Sequence, residues 1–477
     1  MKRSFLIILI LIINNGLWGQ SSQDYLSLED YLRLVINNHP VAKQSALLLA
    51  EADAYVLKSR GAFDPKLKGG LEQKSFDGKE YFTIGEAKLE IPTWYGIKLK
   101  GGFNWTDGIF LNPERNLPDA GQAELGIEIN LLQGLVIDQR RADLAQARLL
   151  GSLNDAERIS MLNDLLLKAA KAYWDWSLAQ RNVEIDQEAL DLAINRLAAL
   201  KVQNEQGYKS AIDTLESSIQ VQTRRTALFD AQNDLQKARL KLSNFLWTQD
   251  LSPIEVLPGT RSLTLNEQIV EQFTNTEWQE YNRQFATNQP DLLQFRYQIE
   301  QLEIEQRWRR EQLKPKLSVS YNFLADGTSF NAFRADDRSA FNNLLAENYK
   351  AGVNLSFPLF LRKQRANLNL NRIKIQQTDW KRQQKTLELG NKMETAYNQL
   401  ENLTKQIDQY IITVRDYSTL RDAEVEKFDL GFSSFFLINS REQKLIEAQK
   451  KLAELRAKGL KTKVEVRAIS GLLHTDI

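Results

Sequence analysis

DQRRADLAQARLLGSLNDAERISMLNDLLLKAAKAYWDWSLAQRNVEIDQEALDLAINRLAALKVQNEQ, from Asp138 to Gln206, contains no proline and a single glycine, Gly151. It reads as one uninterrupted helix, roughly 100 Å long at 1.5 Å per residue. A rod of that length cannot be the core of a globule. Core-type residues at Ala145, Leu149, Ala156, Ile159, Leu162, Leu166, Ala169, Tyr173, Trp176, Val183, Leu190, Ile194 and Leu197 recur at steps of three, four or seven. That is the heptad seam of a coiled coil. Gly207-Tyr208-Lys209-Ser210 then reads as a C-terminal cap and tight turn into a second helix, Ala211 to Trp247.

A second stretch repeats this pattern. The helix at about 362–430 carries the cleaner seam, Leu389, Met393, Ala396, Leu400, Leu403, Ile407, Tyr410, Val414 and Tyr417, and ends at Gly431-Phe432-Ser433-Ser434. The motif from Arg140 to Arg148 matches Gln364 to Arg372 at an offset of 224, and Gly207 matches Gly431 at the same offset. Upstream, His39-Pro40 starts a helix that ends near Gly61, and Asp64-Pro65 starts extended structure. Gln289-Pro290 and Lys314-Pro315 do the same 250 residues later. The chain is read as a tandem duplication. Its first copy spans 20–247 and its second 289–458, with a linker at 248–288 and a tail at 459–477.

Between the helices, at about 65–132 and 315–360, residues alternate with period two. Ile97, Leu99, Gly101, Phe103 and Trp105 oppose Lys98, Lys100 and Asn104, while Leu125, Ile127 and Ile129 oppose Glu124 and Glu128. Leu317, Val319, Tyr321 and Phe323, and then Val353, Leu355 and Phe357, continue the pattern. Aromatics gather near the strand ends (Tyr81, Phe82, Trp94, Trp105, Tyr349, Phe360) and no segment is left to cover an apolar sheet face. Both features favour membrane strands over a soluble sheet. An additional hairpin in the first copy, Tyr81 to Pro92 with Trp94 to Trp105, leaves the strand count at four to six. So few strands cannot close a barrel, since the smallest have about eight. The chain must oligomerise into a shared barrel above a hollow cylinder of helices, which is a conduit.

Composition limits the other classes. The 62 Lys and Arg balance 61 Asp and Glu, so no polyanion-binding surface is advertised and nucleic acid is not a partner. There is no cysteine, and the two histidines, His39 and His474, lie far apart with no carboxylate cluster or phosphate-cradling loop. Neither an enzyme nor a metal or cofactor site is indicated, and His39 reads as a helix-start residue. Met1-Lys2-Arg3-Ser4, an apolar run from Phe5 to Ile13 and a polar stretch to Gly19 read as a secretory signal peptide, residues 1–19. With no later run of eighteen apolar residues, any membrane passage is by β-strands. A periplasmic coiled-coil structural or adaptor protein is the alternative, but it has no need of amphipathic strand pairs in both copies.

On the duplication, the His39-Pro40 and Gln289-Pro290 helix starts, the strand exits Leu131-Leu132-Gln133-Gly134 and Phe357-Pro358-Leu359-Phe360, and the two glycine turns, the chain resembles the TolC family of outer-membrane efflux proteins. The resemblance covers essentially the whole length after residue 19. It implies a homotrimer with a β-barrel in the outer membrane, in contact with its lipid, and an α-helical barrel of antiparallel coiled coils across the periplasm. It further implies an equatorial belt from residues around Ser27 to Asn38, Thr248 to Asn288 and Ala457 to Ile477. The chain would be the outer-membrane component of a tripartite efflux or type I secretion system, a passive conduit fed by a periplasmic adaptor and an inner-membrane pump. The adaptor would dock on the tips, Gly207, Tyr208, Lys209 and Ser210 with Gly431, Phe432, Ser433 and Ser434. In the family's pattern two aspartates six and nine residues beyond the second glycine ring the closed entrance. Here those positions are Leu437 and Ser440, while Asp213 sits six beyond Gly207, so the expected periplasmic gate at Leu437 is apolar.

Overall fold

The computed structural model describes residues 25–262, 265, 268–327 and 348–474. The signal peptide, residues 1–19, lies outside them. By internal contacts the chain divides into two compact units, each drawing on both halves of the sequence. One is Ala46–Arg158 with Pro290–Leu387, and the other is the described part of Met1–Ser45 with Ile159–Gln289 and Glu388–Ile477.

In order, the elements are β1 (Tyr25–Leu26), α1 (Leu28–Asn38), α2 (Pro40–Arg60), β2 (Lys66–Phe76), β3 (Lys79–Pro92), β4 (Ile97–Asp107), β5 (Gln122–Asn130), α3 (Gln139–Glu205) and α4 (Ala211–Ser243). Then come β6 (Arg261–Ser262), α5 (Asn275–Asn288), α6 (Pro290–Glu311), β7 (Lys316–Asp326), β8 (Tyr349–Ser356), α7 (Arg362–Asp429) and α8 (Phe435–Ser470). Helix, strands, long helix, turn, helix is the order in both halves. Both long helices fall within three residues of the ends read from proline and glycine positions. The helix after the first turn stops at Ser243, short of Trp247, because the chain folds back there. The Ser243 hydroxyl accepts the Val256 N–H at 3.1 Å, and Ile254 N–H reaches the Leu246 carbonyl at 2.9 Å.

The first unit holds one antiparallel sheet in the order β2-β3-β4-β5-β7-β8. The hairpin peculiar to the first half is β3 with β4, so the count among the described residues is six. Trp94 is not in a strand but in the connecting turn, where it stacks on Phe63 with ring centroids 4.1 Å apart. Up to a bulge between Lys74 and Ser75, register puts the odd-numbered residues of the ladders Leu67↔Leu89, Leu89↔Gly101, Leu99↔Ile127, Ile127↔Tyr321 and Val319↔Val353 on one face. That face is apolar and open: Leu67, Leu71, Val353 and Leu355 are each at least 70% exposed. Gly85 lies on it because the Trp105 indole covers the position where a Cβ would stand, 2.0 Å from the nearest ring atom. Among the described residues, no helix is long and apolar enough to cross a membrane.

The start of α3 is fixed by Asp138, whose carboxylate accepts the Arg141 N–H at 2.9 Å. Burial pushes this carboxyl up, but Arg141 and Arg140 outweigh it and hold it below the usual carboxylate range. The Arg141 guanidinium also donates to the carbonyls of Gly134, Leu135 (3.1 Å) and Val136 (3.1 Å), clamping the strand exit to the helix.

In the second unit, α3 is buried more widely than a heptad seam requires. Leu162, Leu165, Leu166, Ala169, Ala170, Ala172, Tyr173, Trp174 and Trp176 are all buried, which narrows the solvent face to a strip that carries Asp164 and Lys168. One hydrophobic cluster joins them to Tyr31, Leu32 and Val35 of α1, to Phe273 and Tyr281, and to Leu455, Ala457, Val464 and Val466 of α8. The Tyr173 hydroxyl donates to the Leu26 carbonyl at 2.7 Å. Farther along, Ala193 rather than Ile194 faces α4, joining Leu190, Val221 and Leu228, and Ile194 is exposed. A small side chain occupies the closest approach.

Helices α3 and α8 run antiparallel, joined by Lys171–Glu465 (2.8 Å), Asp175–Lys461, Asp186–Lys450 (2.7 Å) and Arg196–Glu442 (2.5 Å). Each step forward on α3 is matched by an equal or nearly equal step back on α8. Asp175 also meets Lys241 of α4 at 2.9 Å. Burial raises its carboxyl, yet the two ammonium groups prevail and hold it below its ordinary range.

Candidate functional site

The two helical tips are built alike, and the sequence dictates how. Gly207 and Gly431 take φ of 81° and 84°, the left-handed conformation that glycine adopts without a steric penalty. At the first tip Tyr208 N–H reaches the Gln203 carbonyl at 2.8 Å, and Gly207 N–H reaches Asn204 at 2.9 Å. At the second, Phe432 N–H reaches Lys427 at 2.8 Å and Gly431 N–H reaches Phe428 at 3.0 Å. Both are Schellman closures, which satisfy the last carbonyls of α3 and α7.

Ser210 and Ser434 start the next helices. The Ser210 hydroxyl accepts the Asp213 N–H at 3.2 Å, and the Asp213 carboxylate accepts from the Ser210 N–H (3.2 Å) and hydroxyl (2.9 Å), a complete capping box. Asp213, named in the sequence as a gate residue, thus has its carboxylate bound at the helix start. Ser434 accepts the Leu437 N–H at 3.4 Å, and with leucine at this third position no carboxylate reciprocates. Asp213 and Leu437 are equivalent positions of two caps, one closed on both sides and one on a single side.

The other tip residues divide by what they touch. The Ser433 hydroxyl donates to the buried Glu424 carboxylate at 2.5 Å, and Arg441 lies 3.7 Å from the other Glu424 oxygen. The Lys209 ammonium sits 3.9 Å over the Phe428 ring, and its carbonyl accepts from Asn204 at 2.8 Å. Tyr208 and Phe432 are 78% and 84% exposed. Ile212, Leu215 and Phe436, which sequence reasoning did not single out, are also exposed, so an apolar surface surrounds the turns. Their signal was present in the strings Ala211-Ile212 and Phe435-Phe436, where the first turn of a helix carries more apolar residues than its core face can bury. Phe435 and Ile438 do pack inward, with Leu200 and Phe428. Leu437 is 38% exposed, and Ser440 is exposed as well. Among the described residues no group of three His, Asp or Glu could hold a metal ion.

This is the fold of outer-membrane channels. Solved structures sharing it include the MtrE outer membrane channel of Neisseria gonorrhoeae in its open state (TM-score 0.65, 13% identity, covering 94% of this chain and 91% of that one). The CmeC outer membrane channel of Campylobacter jejuni aligns at 0.63 and 12% identity over 94% and 86% of the two chains. The outer membrane protein VceC of Vibrio cholerae does so at 0.63 and 12% over 93% and 96%. No curated protein sequence matches the chain. Residues 283–472 match the family model described as outer membrane efflux protein.

Ser210→Ala removes the hydroxyl half of the first capping box, leaving the Asp213 carboxylate on the backbone N–H of residue 210, and should cost about 1 kcal/mol of local stability. Hydrogen exchange should show faster exchange at residues 211–213, with the amides near Leu200 unchanged.

Proposed function

We propose that three copies of this chain form a passive export conduit, with a shared β-barrel in the outer membrane and a barrel of antiparallel coiled-coil helices. The observation that carries this reading is the sheet: six strands, an apolar face left open, and β2 and β8 at its two edges. Edge strands cannot stay unpaired in hydrocarbon, where each unsatisfied backbone group costs several kcal/mol. Six strands fall short of the roughly eight that the smallest membrane barrels need. Pairing β8 of one copy with β2 of the next removes every edge. Three copies, the number the family resemblance implies, give a closed ring with the apolar face toward lipid. The two halves of the chain are read as repeats of one unit, exported by the leader at residues 1–19. An adaptor or structural coiled-coil protein would have no use for an open apolar sheet.

The tips would receive a periplasmic adaptor, itself joined to an inner-membrane pump. Because Ser210, Ser433 and Ser434 serve the turns themselves, the docking surface is better placed on the exposed rings of Tyr208 and Phe432 than on the serines. Glycine and lysine at the remaining positions shape the turn. At the entrance, Leu437 is the gate residue, closing the pore by dewetting with Ser440 beside it.

Three outcomes test this reading. The purified protein should run on an unheated gel as a trimer that heating dissociates; a stable monomer recovered from the soluble periplasm contradicts it. Tyr208→Glu with Phe432→Glu should abolish export while leaving the trimer in the membrane, and unchanged export would move the docking surface elsewhere. Leu437→Ser should raise conductance in planar bilayers severalfold, and an unaltered conductance would exclude Leu437 as the gate.

A further inference from the structure

The polar face of the sheet is charged unevenly along its strands. Each strand can be divided into a half near the end that joins a helix, or for β3 and β4 near their shared turn at residues 93–96, and a far half. Register places Lys66, Lys68, Lys88, Lys98, Lys100 and Lys316 on the polar face of the near halves. Against these six lysines stand three glutamates, Glu86, Glu90 and Glu128. All three are already engaged: Glu90 with Lys68 at 2.9 Å, Glu86 with Lys88, and Glu128 with both Lys98 (2.9 Å) and Lys100 (2.5 Å). Lys66 and Lys316, at the very start of β2 and β7, form no ion pair among the described residues. In the far halves the excess disappears, with Lys74, Lys350 and, past the bulge between Lys74 and Ser75, Lys79 against Glu72, Glu124 and Asp326.

We infer that the near half of this face is a selectivity belt that favours anions, so that the solutes it passes best carry carboxylate or phosphate groups. The inference rests on the closed barrel proposed above, which turns the polar face inward. Each copy then adds a net excess of three positive charges to one ring, and three copies focus that field across a lumen bounded by low-dielectric walls. Rings of lysine select anions in this way. Carboxylates elsewhere on the face do not cancel the field, because over a Debye length of about 10 Å at 0.1 M salt only the near-half charges act together. Selectivity should therefore weaken as salt rises.

The test is the reversal potential of the purified full-length protein in planar bilayers under a potassium chloride gradient near 0.1 M. The expected chloride-to-potassium permeability ratio is roughly twofold or more, falling toward one in molar salt. Lys66→Glu with Lys316→Glu breaks no ion pair and should bring the ratio below one, while Lys74→Glu with Lys350→Glu in the far half should shift it less. If the glutamate pair fails to assemble, Lys66→Gln with Lys316→Gln should still lower the ratio. Cation selectivity in the unaltered protein, or an unchanged reversal potential in an assembled near-half variant, overturns the inference. Absence of any channel would instead count against the closed barrel itself.

Discussion

The structure depends on one unfinished surface. A sheet that hides neither its apolar face nor its edge strands has no stable place in water, and the described residues supply no layer to cover it. Placed in a bilayer the apolar face needs no cover, because lipid provides it, and the edges become the only groups still to be satisfied. In the proposed barrel, association of copies is a requirement of backbone hydrogen bonding rather than an added convenience. The strand-exit clamp at Arg141 follows from the same demand. Where the chain leaves the ladder, the carbonyls of Gly134, Leu135 and Val136 lose their strand partners and are taken up by a single guanidinium.

Long helices raise a different difficulty, because a heptad pattern repeats and a slip of one heptad leaves it nearly unchanged. The paired charges of α3 and α8 answer it. Surface ion pairs contribute little to stability, with a median of about 0–1 kcal/mol. Asp186 and Glu442 are buried, however, so a slipped register would leave carboxylates desolvated without their cations. The charges therefore specify alignment more than they add stability. Around Tyr173, where α1, α5 and α8 pack against the rod, aromatic packing performs the same service, since a slip would drive Trp174 and Trp176 into neighbours of different size.

Much of this was legible in the sequence. Proline and glycine positions gave the helix ends, and alternation gave the two faces of each strand, because both signals are local. The breadth of burial over residues 162–176 was not legible: a seam is a periodic feature, whereas burial beyond the seam depends on segments hundreds of residues away. Ile194 was placed in the seam by spacing alone, and only the approach of α4 selects Ala193 in its place. The serines of the tips were read as small polar contact residues. The pattern Ser210-Ala211-Ile212-Asp213 carries a cap signature that competes with that reading, and in the structure the cap is what forms.

One difference between the tips bears on motion. Helix α4 begins with its first turn tied in both directions, serine to amide and carboxylate back to serine, while α8 begins with the forward tie alone and a leucine in place of the carboxylate. A one-sided cap leaves the opening turn of α8 cheaper to unwind than its counterpart by an amount on the order of thermal energy to about 1 kcal/mol. Two hairpins of one design are thus unequal hinges. A load applied equally to both would be absorbed first by the turn holding Phe435, Phe436 and Leu437, and the stiffer tip would act as the fixed post against which it swings.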